Sequence, residues 1–487
     1  MTADELFTKV IEKAKEFGMV PKNDGRTIIE PKGNAIIRNN LSENSFNEGS
    51  AFFAIISGEE ETFGLYSDYS FVVFPEKKLG SCVVCLGVGS QGFKNDYQLA
   101  SMPGLRRSYL KLRKEDNTTF FKTSFDDIES TSSDLLNEVR ANYPDIKKVV
   151  EEYKTDLPAS CIIKYSDTKG EQNAFYVTLY TWLATYAEMR GWGTVEQRKV
   201  IKQVLNNVSI PEGPDEYNEV KTLLGKRHYV VLQGAPGTGK TFTALKIADD
   251  YKKEDVFFEQ FHAETTFSDF VYGLEPNMDA RNGESQFKAK KGILYQAINR
   301  ALDLKNGQRV LLIIDEINRA NLSNVLGPVF YLFEYQTGKR KVEISVGDKP
   351  LTQLPENLDV LATMNTADRS LAVVDFALRR RFAWYTLKPH VLKQVGKGKK
   401  FMKDMFRQFA EVFNKYATDE ELNLQPGQSY FIVNSSNKEE EKEEMKDRLI
   451  YELMPLIKEY LAEGYLLKAR DSFSDLFLKE TGKLLYE

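Results

Sequence analysis

The stretch Gly234-Ala235-Pro236-Gly237-Thr238-Gly239-Lys240-Thr241 has the residue types and spacing to grip phosphate. Its glycines let backbone N–H groups turn inward onto an anion where a side chain would block the approach. Lys240 adds a point charge for the β- and γ-phosphates, and the Thr241 hydroxyl is a hard oxygen suited to Mg²⁺. A buried-strand run, Tyr229–Leu232, leads into the loop, and Phe242–Tyr251 has helical spacing after it. Strand, GxxxxGKT, helix is the context in which this loop binds a nucleoside triphosphate, with the positive end of the helix dipole behind it.

Two more apolar runs deliver polar residues to the same place. Val310–Ile314 reads as a fully buried parallel strand and ends in Asp315-Glu316. Such strands present their C-terminal ends to the ligand edge of the sheet. Asp315 is then placed to hold the Mg²⁺ sphere, and Glu316 to orient or deprotonate an attacking water. Two adjacent carboxylates favour hydrolysis over binding alone. Leu358–Met364 is the third run and ends at Asn365, whose amide can hold the lytic water. Thr366–Ser370, with Asp368, follows, and then Leu378-Arg379-Arg380-Arg381-Phe382. Three adjacent cations beside an apolar core are costly to leave unpaired, and they suit an arginine finger offered to a neighbouring subunit's phosphate.

This set resembles AAA+ ATPases, and more narrowly the McrB-type GTPases of modified-cytosine (type IV) restriction. The phrases that carry the resemblance are Asp315-Glu-Ile-Asn-Arg-Ala-Asn321, Met364-Asn-Thr-Ala-Asp-Arg-Ser370 and Val374-Asp-Phe-Ala-Leu-Arg-Arg-Arg-Phe382. Gln260-Phe261-His262, Asp269-Phe270 and Gly273 add to it, as do Gly427-x-Ser429-Tyr430-Phe431 and Met454–Tyr460 of a C-terminal helical lid. The resemblance covers about 220–487. It implies that Gly234–Thr241 is Walker A, that Asp315 and Glu316 are Walker B, and that Asn365 is sensor 1. Arg380 and Arg381 match finger arginines acting in trans, and Asp368 lies in the family signature beside the site. It further implies a hexameric ring that hydrolyses GTP with Mg²⁺ and a separate McrC-like nuclease subunit docked on the ring, in restriction or antiviral defence. Arg448 and Arg470 are the candidates for a lid arginine. No [NT]KxD guanine motif occurs, since Asn437-Lys-Glu-Glu440 has the wrong fourth residue. GTP over ATP therefore follows from the resemblance alone. Two rivals are a MoxR-like ATP-driven protein remodeller and a ring that nucleotide merely holds together as a binding module.

The expected fold is an α/β P-loop AAA+ module, a parallel sheet flanked by helices, with a C-terminal helical lid and a preceding α+β domain. With 487 residues and about 100–200 residues per domain, three domains are expected. These are 1–210 (recognition), 220–395 (nucleotide binding) and 396–487 (lid), with Pro and Gly turn chemistry at 208–217 between the first two. In 1–210, residues 3–18, 131–153 and 172–207 read as helices, the last interrupted at Gly191-Trp192-Gly193. Ala51–Ser57, Tyr69–Pro75 and Ser81–Gly87 read as strands.

Lys and Arg total 66 against 71 Asp and Glu, a formal net charge of -5. Residues 1–210 hold 26 positive and 29 negative charges, so no basic field grips nucleic acid as a whole. A local patch is possible at Arg106, Arg107, Lys111, Arg113 and Lys114, which read either as a solvated face or as phosphate contacts to DNA. The aromatics Phe52, Phe53, Phe63, Tyr66, Tyr69, Phe71 and Phe74 read as a core sheet or as a stacking platform for a base. Cys82 and Cys85 form a CxxC inside an apolar run, with Cys161 the one other cysteine. A buried structural pair is expected rather than a metal or redox site. His228 and His390 carry no signal. No apolar run approaches the roughly 20 residues of a membrane span, and the N-terminus reads as an amphipathic helix, so a cytoplasmic protein is expected.

Overall fold

The three runs that are apolar at nearly every position become the centre of one parallel sheet, because only a strand covered on both faces needs to be apolar throughout. In the computed structural model the second half of the chain forms strands β7 (Tyr229–Gly234), β8 (Val256–Gln260), β11 (Val310–Asp315), β14 (Leu358–Asn365) and β15 (Ala383–Thr386), in the order β15-β7-β14-β11-β8. Every pairing in this sheet is parallel. β7, β14 and β11 are buried along almost their whole length, whereas the edge strands β8 and β15 are half-buried. Two small antiparallel hairpins hang from the sheet, β9 (Tyr272–Pro276) with β10 (Phe287–Lys291) and β12 (Ile344–Val346) with β13 (Lys349–Leu351).

The structure describes residues 1–25, 27–62, 64–113, 118–121, 133–153, 156–206, 215–278, 285–304, 307–334, 343–367, 376–434 and 437–486. It divides into two compact units, Met1–Glu212 and Gly213–Glu487. The expected turn at 208–217 lies outside the described residues up to 214. No helix among the described residues is long and apolar enough to cross a membrane.

One polar network holds the sheet at the end away from the glycine loop. Asp359 on β14 is 1% exposed. It accepts hydrogen bonds from Arg309 Nε (2.6 Å) and Tyr251 Oη (2.8 Å), and His228 Nδ1 lies 2.9 Å away. A buried carboxylate is tolerable when its lone pairs are used in this way.

After β15 the chain becomes helical, at Lys403–Tyr416, Lys438–Arg448, Met454–Ala462 and Arg470–Thr481. These helices enclose an aromatic core of Phe406, Phe409, Phe413, Phe431, Phe473 and Phe477. The charged tract Lys438–Lys446 is one of the helices, started by Asn437, whose side chain accepts from the Glu439 and Glu440 N–H groups.

The N-terminal unit is an antiparallel sheet of β1 (Ala35–Asn40), β2 (Phe52–Ser57), β3 (Tyr69–Pro75), β4 (Ser81–Val88), β6 (Ala159–Lys164) and β5 (Thr119–Phe121), in that order. Helices Ala3–Glu16 and Lys169–Arg190 bury Leu6, Val10, Leu179 and Trp182 against one face. Ser133–Asn142 and Pro144–Glu152 cover the other. The helical stretch expected over 172–207 forms Lys169–Arg190 and Val195–Asn206, and the interruption falls where it was expected, with Gly191 a left-handed C-cap at φ 64°.

The aromatic cluster is core, not a platform. Phe53, Tyr69, Phe71 and Phe74 are buried, and Phe63 lies outside the described residues. Alternation along β4 sends Cys82 to one face of the sheet and Cys85 to the other. A CxxC on a strand therefore cannot close on one ligand. Burial in apolar surroundings pushes the Cys85 thiol up to about 12. Arg106, Lys111 and Arg113 are exposed and Arg107 half-exposed, on or just after the short helix Leu105–Leu110. Lys114 lies outside the described residues.

Candidate functional site

β7 ends at Gly234, and the loop from Ala235 to Gly239 turns the chain into helix Lys240–Ala248. Gly237 and Gly239 take φ of 77° and 89°, the left-handed region that a side chain disfavours. A Cβ on Gly237 would also stand 2.8 Å from the Tyr430 ring. Thr238 is buried and its hydroxyl donates to Ala235 O at 2.9 Å, which holds the turn. Lys240 is 7% exposed, and its Nζ donates to Gly234 O (3.0 Å) and Ala235 O (2.9 Å). The ammonium is thereby held at the mouth of the loop. Lys240→Ala is expected to weaken nucleotide binding by about 10- to 100-fold, since hydrogen bonds to a charged group are worth roughly 1.5–3 kcal/mol. Unchanged affinity of the variant in a nucleotide titration would contradict the phosphate role.

The carboxylates come from the neighbouring strands. Asp315 closes β11 and is 5% exposed. Its Oδ1 accepts the Thr241 hydroxyl at 2.8 Å and the Thr363 hydroxyl at 2.7 Å, and Gln260 Nε2 donates to Oδ2 at 3.3 Å. Glu316 follows in a left-handed conformation, φ 55° and ψ 49°. Such a backbone costs about 1–3 kcal/mol and persists only where neighbours fix it. Here the Glu316 N–H donates to Thr363 Oγ1 at 3.0 Å, so one threonine ties both acidic residues to β14. Arg319 Nε lies 3.7 Å from Glu316 Oε2.

Asn365 ends β14 directly beside Gly234 in the sheet register. Its Oδ1 accepts the Ala367 N–H at 3.1 Å, and its carbonyl accepts Asn318 Nδ2 at 3.3 Å. Thr241, Asp315, Glu316 and Asn365 are thus gathered at the C-terminal ends of adjacent strands, next to the glycine loop. Asp368 lies outside the described residues.

Arg380 and Arg381 are elsewhere. They end the helix Phe376–Arg381, just before Ala383 of β15, which pairs with Val230 near the start of β7. At about 3.3 Å per strand residue, the level of Val230 lies about 13 Å from that of Gly234. The two arginines also differ. Arg381 is 9% exposed, its guanidinium stands 4.5 Å from the Phe330 ring centre, and it lies 3.3 Å from a Glu334 oxygen. Arg380 is 70% exposed, with Glu334 at 3.4 Å.

Two contributors were missed from sequence. Thr363 is a polar residue between the apolar Val360–Ala362 and Met364 of β14, and that interruption was its signal. Gln428 is buried and reaches from the helical region to donate to Thr238 O at 2.9 Å. Beside it the Gly427 N–H donates to Pro236 O (2.8 Å) and the Ser429 N–H to Gly237 O (3.0 Å). A Cβ on Gly427 would meet Gly237 C at 2.1 Å, so only glycine allows this approach. The lid-arginine candidates are engaged within the helical region, Arg448 with Glu444 and Glu452 and Arg470 over the Tyr486 ring.

Residues 229–382 match the AAA domain (dynein-related subfamily). Among curated proteins, the chain is 38% identical over 197 residues to the type IV methyl-directed restriction enzyme EcoKMcrB subunit of Escherichia coli (strain K12), covering 39% of this chain and 41% of that one. It is 27% identical over 220 residues to the type II restriction enzyme BsuMI component YdiS of Bacillus subtilis (strain 168), covering 39% of this chain and 60% of that one. The match therefore spans less than two thirds of either relative. Among solved structures, an ATPase from Cytophaga hutchinsonii shares 18% identity at a TM-score of 0.25, over 58% of this chain and 78% of that one.

Proposed function

From the premise that residues 229–382 form an AAA domain of the McrB type, we propose that this chain hydrolyses GTP in an oligomeric ring, a hexamer by resemblance. In this reading the ring drives a separate McrC-like nuclease on modified or foreign DNA, and the whole acts in restriction. The observation that carries the hydrolytic part is the chain of contacts Thr241–Asp315–Thr363–Glu316 beside the glycine loop. A site for binding alone has no use for a second carboxylate held in a strained backbone. GTP, the ring and the nuclease come from the McrB-type resemblance, and the 38% identity supports them.

The Thr241 hydroxyl and Asp315 carboxylate fit Mg²⁺, because both are hard oxygens already 2.8 Å apart. Bound there, the ion would offset charge on the phosphate oxygens. The chain's own residues do the rest. Loop N–H groups and Lys240 hold the β- and γ-phosphates. Asn365 and Glu316 position the water, and Glu316 accepts its proton. Arg380 of the neighbouring subunit meets the charge that develops on the γ-phosphate. The test is turnover of GTP and of ATP by the purified chain across a range of protein concentrations. GTP turnover rising steeply as rings form supports the reading. ATP turnover without GTP turnover would point instead to an ATP-driven remodeller.

For the N-terminal unit, the proposal is that it contacts DNA through Arg106, Lys111 and Arg113. These are exposed cations in an acidic half-chain, so any DNA contact there must be local. Neutralising two of them is expected to weaken DNA binding and to reduce the slope of log K against log salt by about one for each phosphate that is no longer neutralised. A gel-shift series in which the slope does not change would remove this patch from consideration.

A further inference from the structure

Helix Glu216–Arg227 immediately precedes β7, and the chain reverses between them at His228, where φ is 57°. The helix therefore runs back along the strand. Twelve helical residues rise about 18 Å and a six-residue strand spans about 20 Å, so the first helical turn returns to the level of the glycine loop. Side-chain bonds agree with this placement. Tyr385, level with Leu232 on β7, donates its hydroxyl to Glu219 Oε2 at 2.6 Å. The segment after β15 passes beside the loop, with Leu387 N–H donating to Gln233 O at 2.8 Å. His390 of that segment lies 3.5 Å from Glu216 Oε1.

Glu216 is thus a carboxylate at the phosphate end of the sheet, with a side chain only 12% exposed. Its Oε1 is shut off from solvent and accepts no hydrogen bond from any described residue. His390 does not supply one, because its Nδ1 is 3.0 Å from Lys388 O, a contact that needs the Nδ1 proton. Burying a carboxylate without donors is costly. Burial pushes the Glu216 carboxyl up to about 7, with His390 opposing the shift and Glu219 adding to it. Among the described residues, His390 approaches this carboxylate at 3.5 Å without giving Oε1 a hydrogen bond.

We propose that Glu216 reads the base of the bound nucleotide and selects guanine. Guanine presents two adjacent donors, N1–H and the exocyclic N2–H, and a carboxylate presents two adjacent acceptors. Adenine presents a donor and an acceptor, so its N1 lone pair would face a carboxylate oxygen. A site built around such a pair rejects the base that leaves its buried group unpaired. The inference rests on GTP being the substrate, and it deepens that reading by giving the preference a residue that a sequence motif does not supply.

The test is equilibrium binding of GTP, ATP and xanthosine triphosphate to the full chain and to Glu216→Gln. The glutamine amide can donate to xanthine O2 while its oxygen accepts N1–H. The variant is expected to bind GTP about tenfold or more weakly, to keep its ATP affinity, and to gain xanthosine triphosphate. An equal loss for all three nucleotides would make Glu216 structural and overturn the inference. A wild-type preference for GTP that survives in Glu216→Gln would overturn it too, while leaving the GTP reading intact. A wild-type preference for ATP would instead defeat the GTP reading itself, and this inference with it. A measurement on the unaltered chain guards against a variant that does not fold. The titratable groups acting on Glu216 are His390 from the segment after β15, Tyr385 on β15 and Glu219 from its own helix. The ionised carboxylate is present above its raised value and lost below it. The GTP-to-ATP affinity ratio, in which effects on the common phosphates cancel, should therefore fall as pH drops from 8 to 6. A flat ratio would contradict the assignment.

Discussion

Replacing Arg380 by alanine lowers turnover per site by about 10³–10⁵-fold, the range an arginine finger supplies, and leaves nucleotide affinity nearly unchanged. The reason is placement. Arg380 sits before β15, at the end of the sheet away from its own glycine loop, and its side chain is 70% exposed. It cannot serve the phosphates beside Gly234 of the same chain without dismantling β15. A ring would bring it to the next subunit's phosphates. Arg381 is expected to behave differently. It is packed on Phe330 and beside Glu334, so Arg381→Ala should lower the melting temperature as well as turnover. Measuring kcat, Kd and Tm for both variants separates the roles. A turnover loss of less than tenfold in Arg380→Ala, in preparations that still assemble, would remove it from the reaction.

Glu316→Gln is expected to keep nucleotide binding and lose turnover by about 10²–10⁴-fold, the usual contribution of a general base. The amide preserves the side chain's shape and cannot take the water's proton. The phosphate grip rests on Lys240 and the loop, so the deficit should fall on kcat and not on binding. The Glu316 backbone N–H keeps the bond to Thr363 whatever the side chain, so the left-handed turn should survive the change. Wild-type turnover in Glu316→Gln would assign the proton to another acceptor.

The sequence was most informative where one physical demand acts on consecutive residues. Strands β7, β11 and β14 are covered on both faces, so nearly every position is apolar and each run stands out. Their C-terminal residues follow at once, since parallel strands deliver Gly234, Asp315 and Asn365 to a common edge. Single residues placed by tertiary contact were silent. Gln428 reaches Thr238 across a separation of 190 residues. Glu216 becomes notable only when its helix folds back along β7. The CxxC shows the opposite hazard, a spacing that suggests a site until the strand period puts its two thiols on opposite faces. The six aromatics described from the β-rich part answered to packing, because an antiparallel sheet flanked by helices needs large apolar side chains on both faces. The edge strands were harder to read. β8 carries Glu259 and Gln260 and is half-buried, so its pattern is mixed.

The central claim is that each site is completed by the neighbouring subunit, and mixing two inactive chains tests it most directly. Lys240→Ala loses its own phosphate grip and keeps Arg380. Arg380→Ala keeps its glycine loop and loses the finger. In rings containing both, an intact loop meets an intact arginine at some interfaces. GTP turnover should therefore appear on mixing, reach a maximum at intermediate ratios, and be absent from either chain alone. No turnover in mixed rings whose composition is confirmed by native mass would mean that Arg380 does not act between subunits, and the shared-site account would fail.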